Sequence, residues 1–94
     1  MKLRTGKYEY KLPRRADVLD RAIVNGNQRN NPMYSLMMAV VPFSTMLDMK
    51  AKDKKVRGIP KMASFNATHQ TIWFHPNPDK SYEVTLRCME VFEQ

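Results

Sequence analysis

Apolar and polar positions alternate most strictly in two stretches. In GKYEYKL (6–12), Tyr8, Tyr10 and Leu12 point one way and Lys7, Glu9 and Lys11 the other. This is the period-two pattern of a half-buried strand, and Pro13 ends it. SYEVTLRCMEVF (81–92) repeats the pattern, with Tyr82, Val84, Leu86 and Cys88 on one face and Glu83, Thr85 and Arg87 on the other. KMASFNA (61–67) and QTIWFHP (70–76) read as two more strands, joined by a short polar link around Thr68 and His69. Trp73 is expected in the core. PNPDK (76–80) has turn chemistry, because Pro78 presets a backbone angle while Asn77 and Asp79 can bond to nearby backbone. Residues 70–92 are therefore read as a C-terminal β-hairpin.

The intervening pattern is less regular. In RRADVLDRAIVN (14–25), Val18, Leu19, Ala22 and Ile23 fit a helical face, yet VLDRAIV is also an acceptable strand, and its second half is read as one. GNQRNNP (26–32) concentrates turn residues and reads as a loop. Met33, Leu36, Met37 and Val40 are spaced as on a helix, but Pro42 pushes Val41 toward extended geometry. Residues 33–42 are accordingly read as extended, with helix the alternative, and a short helix follows from Ser44 to Lys50. Ser44 would cap that helix, and Phe43, Met46 and Leu47 would form its buried stripe. AKDKKVRG (51–58) reads as a solvated basic loop over 51–57. Together these elements predict one β-rich domain over 1–94, mainly β: a small antiparallel β-sandwich or open barrel with one short α-helix.

A chain of 94 residues with 43% apolar content supports a single modest core. Eight methionines suit irregular core packing or an adaptable interface. The first residues lack the apolar run of a secretory signal, and PMYSLMMAVVPF is far shorter than the roughly 20 residues of a membrane helix. A soluble protein without membrane contact is expected. Cys88 is the single cysteine, which rules out an internal disulfide and fits assembly in a reducing compartment. His69 and His75 stand six positions apart across a strand, without metal-site spacing, and no serine or glycine lies in a nucleophile or phosphate-loop motif. No catalytic residue, metal or cofactor is expected.

The net charge of +7 favours anionic or acidic partners without choosing among them. Arg14, Arg15, Lys50, Lys52, Lys54, Lys55 and Arg57, with Lys61 beside them, form the candidate interaction surface. Alternatively, such runs are solvated faces that keep a β domain from pairing edge to edge.

The order "GKYEYKLP", "AVVPFSTML" and "GIPKMASFNATHQTIWFHPNPDKSYEVTLRC" resembles the β-rich portion of head-to-tail connector, or adaptor, proteins of tailed bacteriophages. It is similar in the same way to the tail tubular proteins of short-tailed phages. The resemblance rests on Gly58 and Pro60 before a strand, the apolar Ile72–Phe74, the proline-bracketed Pro76–Asp79 and the tyrosine-led Tyr82–Leu86. It implies a non-enzymatic virion structural protein, made in the host cytoplasm, that self-associates in a ring or lattice. Its partners would be portal, tail or capsid subunits, with non-specific contact to packaged DNA as a further expectation. Adaptors of this type carry a helical portion absent from this pattern, which leaves connector, tail and capsid surface open. The alternative reading is a small basic nucleic-acid-binding regulator.

Overall fold

The computed structural model describes residues 1–25 and 35–90. The expected loop at 26–32, Met33 and the end of the last strand beyond Glu90 lie outside the described residues. In chain order come β1 (Glu9–Lys11), β2 (Val18–Val24), β3 (Leu36–Met37), β4 (Ala39–Val40), α1 (Phe43–Lys52), β5 (Arg57–Gly58), β6 (Met62–Asn66), β7 (Thr71–His75), β8 (Asn77–Pro78) and β9 (Val84–Met89). The fold is mainly β with a single short helix, as the pattern predicts.

Three sheets form, ordered β1-β7-β6-β4, β3-β2-β9 and β5-β8. The longer ladders are antiparallel, and two ladders of two residue pairs each, β4–β6 and β5–β8, run parallel. Two segments of chain join the larger sheets. Residues 36–41 use both edges: Leu36 and Met37 pair with Val24 and Ile23, and Met38 N–H donates to Ala22 C=O. Ala39 and Val41 instead donate to Lys61 and Ala63 of the β6 side. The N-terminal segment makes the second corner. Leu3 N–H donates to Tyr82 C=O and Val84 N–H to Met1 C=O, after which the chain turns and becomes β1 against β7. Strands that bend from one sheet to another are how orthogonal sandwiches and small barrels close.

Each corner is fixed by identifiable chemistry. Gly6 has φ of +79°, a left-handed conformation that costs an L-residue with a side chain. Tyr10 braces the same bend, accepting from Arg4 N–H at 2.7 Å and donating to Arg4 C=O at 3.3 Å. Its ring meanwhile packs edge-on against Phe74, with centroids 5.7 Å apart. The core between the sheets draws on both: Tyr10, Ile72, Phe74 and Ala63 from one side, Leu19, Ala22, Val24 and Val84 from the other, and Leu3 and Met38 from the two segments that join them.

Several expectations change. β7 and β9 are not a hairpin: β7 pairs with β1 and β6, while β9 pairs with β2. The PNPDK segment is not a simple reversal, because Asn77 and Pro78 are buried and pair with β5, carrying the chain out of one sheet before it enters the other. The hairpin in this region is β6–β7, in register from Met62↔His75 to Asn66↔Thr71. The helix is longer than expected. Pro42 precedes its first residue and no side chain caps it, so Ser44 lies within the helix. Its buried residues are Met46 and Lys50, with Phe43 and Met49 half-buried, whereas Leu47 is 46% exposed. The basic loop is correspondingly shorter, since Ala51 and Lys52 belong to α1 and Arg57 to β5.

The Gly6 corner gives a direct test. Gly6→Ala is expected to lower stability by about 1–2 kcal/mol through the left-handed backbone alone. Adding Arg57→Ala, which removes the guanidinium 3.0 Å from where the new Cβ would sit, should leave most of that loss in place. Urea denaturation followed by Trp73 fluorescence measures both.

Candidate interaction surface

The seven cations singled out from the sequence do not form one patch. Lys52 ends α1, Lys54 and Lys55 follow its C-cap Asp53, and Arg57 opens β5; all four side chains are exposed. None of the four makes a salt bridge among the described residues. Lys61, also exposed, precedes β6. Arg14 and Arg15 lie in the link between β1 and β2, where they border a cavity of about 640 Å³ whose other wall is β9.

Lys50 is the exception and a correction to the sequence reading, because it is only 6% exposed. It falls on the face of α1 that covers the outer side of β6 and β7, since positions 43, 46 and 50 follow the three- and four-residue steps of one helical face. Its Nζ donates to Asn77 Oδ1 at 2.6 Å and lies 4.3 Å from the centroid of the Tyr8 ring. Asn77 is buried as well and donates through Nδ2 to Lys54 C=O at 2.9 Å, so one carboxamide ties the end of the helix to the chain after it. Burial pushes the Lys50 amino group down to about 8, partly offset by the nearby Asp53 carboxylate.

The same outer face holds Trp73, which is not a core residue. Ile72 and Phe74 point inward and are fully buried, so strand alternation sends Trp73 to the other side, where it is half-buried. Its ring meets Tyr8 and Phe43 edge-on at 4.8 and 4.9 Å, and its Nε1 donates to Glu9 Oε2 at 2.7 Å. Thr71 and His75 share the alternation of Trp73, and Ser64 stands opposite it in the ladder. Ser64 Oγ, Thr71 Oγ1 and His75 Nδ1 are buried there without a hydrogen-bond partner among the described residues. Burial, and then the positive charge of Lys50, hold His75 below the usual histidine range. His69 is exposed in the β6–β7 turn, where its backbone N–H donates to Asn66 Oδ1. This layer of aromatic and amide groups around one lysine anchors the helix to the sheet. Composition treats Lys50 as one more member of a basic run; the signal for it is its helical phase relative to Phe43 and Met46.

Among the described residues, no group of three or more His, Cys, Asp or Glu side chains is placed to hold a metal ion. No described helix is long and apolar enough to cross a membrane.

The Lys50 site predicts a pH effect of definite sign. Between about pH 8 and 10.5 the unfolded chain keeps a lysine proton that the folded chain has released, so the contribution of Lys50 to stability rises with pH across that window. The stability of the parent chain minus that of Lys50→Met should therefore increase by roughly 2–3 kcal/mol between those limits. Parallel urea titrations measure it, and the subtraction removes the tyrosine and cysteine titrations common to both chains.

Comparison of the chain with protein-family models, with curated proteins and with solved structures returned no match.

Proposed function

We propose that this chain is a non-enzymatic virion structural protein of a tailed bacteriophage, a head-to-tail connector, adaptor or tail component that assembles in many copies through protein–protein contacts. The observation that carries the reading is where its apolar surface lies. Val18, Met37, Val40 and Met89 are 40–63% exposed although they belong to ladder strands, and Ile59 and Leu47 add to them from the flanking link and helix. Val18 and Met89 stand directly opposite each other across the β2–β9 ladder. Apolar side chains on the outer faces of a small sheet are what a subunit covers when it meets its neighbours. The Gly58–Pro60 approach to β6 and the proline-bracketed β8 supply the resemblance that names the kind of assembly.

A second reading, a small basic nucleic-acid-binding regulator, draws on the four exposed cations from Lys52 to Arg57 that make no salt bridge among the described residues. Such a cluster suits phosphates, with affinity that falls as salt rises. Within a virion the same residues would face acidic subunits or packaged DNA and would speed association more than strengthen it.

Quantitative mass spectrometry of purified particles of the virus encoding this chain tests the first reading. A ring-type stoichiometry, on the order of six or twelve copies per particle, is expected for a connector or tail subunit, and absence from the particle would overturn the proposal. For the second, tight and salt-sensitive shift of random DNA by the isolated protein is the signature. Lys54→Ala, Lys55→Ala and Arg57→Ala together should then flatten the salt slope by about 3.

A further inference from the structure

Among the described residues, β9 has one edge paired and the other only half covered. Asn25 N–H donates to Glu83 C=O, which fixes residues 83, 85 and 87 as those whose backbone groups face β2. The groups of Val84, Leu86 and Cys88 therefore face the opposite way. Those of Val84 are satisfied by Met1, at 2.7 and 2.8 Å. Those of Leu86 and Cys88 meet no backbone partner among the described residues. They open instead into the 640 Å³ cavity, which follows β9 from Glu83 to Glu90.

The facing wall is held firmly in place. Gln70, itself in a left-handed conformation with φ of +56°, accepts from Ala16 N–H at 2.8 Å and donates to Ala16 C=O at 3.0 Å. Its own carbonyl takes Leu12 N–H, so both ends of the 12–16 link are tied to one residue. Leu12 and Leu86, half-buried against the core, give the cavity an apolar lining. Arg14 and Arg15 stand on its border, exposed and without a salt bridge among the described residues; of the two carboxylates on the β9 wall, Glu83 is paired with the Met1 amine at 3.6 Å and Glu90 lies at the far end of the groove.

We propose that this groove takes an extended segment of another protein subunit, added to β9 as a further strand. The segment would present apolar side chains to Leu12 and Leu86 and a carboxylate to Arg14 and Arg15. Backbone donors and acceptors at alternate positions of an edge select an extended polypeptide, since a ladder satisfies both at each residue. The apolar lining and the two arginines then select which segment, by side-chain alternation and by charge. Among the described residues, the edge from Thr85 to Glu90 is long enough for a strand of about six residues, roughly 20 Å. This deepens the assembly reading by naming a docking surface and its partner's chemistry. It is tested on the isolated protein, so a failed particle count with a filled groove would remove only the viral placement, and the converse result only the groove.

The probe is a synthetic peptide of about seven residues, alternating valine with threonine and carrying glutamate at both ends, added to the isotope-labelled full chain up to about 1 mM. Amide spectra should shift along 84–90 and 12–16, and hydrogen exchange at Leu86 and Cys88 should slow about tenfold or more. Lysine in place of glutamate, or Arg14→Glu with Arg15→Glu in the protein, should weaken binding about tenfold. A peptide N-methylated at alternate amides, which leaves the protein untouched, should not bind. No shift at the highest concentration, unchanged exchange at Leu86 and Cys88, or equal binding of the N-methylated peptide would overturn the strand-addition proposal. Equal binding of the lysine peptide would overturn its acidic selectivity.

Discussion

The architecture depends on one short stretch of chain having two edges. Residues 36–41 give hydrogen bonds to β2 on one side and to the β6 segment on the other, with Met38 buried where the allegiance changes. Without that shared strand the β2–β9 ribbon, marginal by itself in water, would be joined to the β1-β7-β6 sheet only through the N-terminal bend. With it, their apolar faces are brought together around Phe74, Ile72 and Ala22. The N-terminal bend at Gly6 repeats the device at the other corner. The two corners together explain why so small a chain needs few long strands: two-residue ladders suffice where each is continuous with something already fixed.

The hairpin β6–β7 is covered on both faces, and this sets the rest of the layout. Its inner face meets the second sheet, and its outer face carries Trp73 beneath α1. Covering that outer face brings Lys50 under cover with it, and the Asn77 amide and the Tyr8 ring are what make its ammonium tolerable there. An entirely apolar residue at position 50 would pack as well but would leave the buried Asn77 oxygen without its donor. The helix is therefore positioned by polar as well as apolar contacts, and the strand pair β5–β8 is held close to its C-terminus through the same asparagine.

Strand positions were legible in the sequence wherever alternation or strand-forming composition was undisturbed, as in β1, β6, β7 and β9. The ambiguity at 14–25 has a physical source. The ladder slips between Leu19 and Arg21, leaving Asp20 as an extra residue in β2, so the buried positions fall at Leu19 and Ala22, three apart. A bulge of this kind puts a helix-like interval into a strand. The extended reading of 33–42 came from Pro42, and within its described part β3 and β4 are strands. Pairing partners were far less visible: alternation reveals which residues point inward but not which strand lies alongside, so β7 and β9 looked like a hairpin across a proline-rich link that instead forms part of a separate small sheet. The candidate site was legible only as charge. Arg14 and Arg15 border a groove, Lys52 to Arg57 are solvated, and Lys50 is buried, three different fates that composition cannot separate.

The seam between Met1–Leu3 and Tyr82–Val84 also orders events in time. Its partners are separated by up to 83 positions, so Met1–Leu3 cannot make these hydrogen bonds until Tyr82–Val84 has been made and brought alongside. Until then the Gly6 corner has only one of its two anchors, and the apolar side chains of β1 and β2 face water or whatever else is at hand. Contacts of this span make folding slow relative to a helical protein of equal size. A chain caught before that seam closes is consequently a different object from the finished one, with Val84 as open on its outer edge as Leu86 and Cys88 remain, among the described residues, after folding.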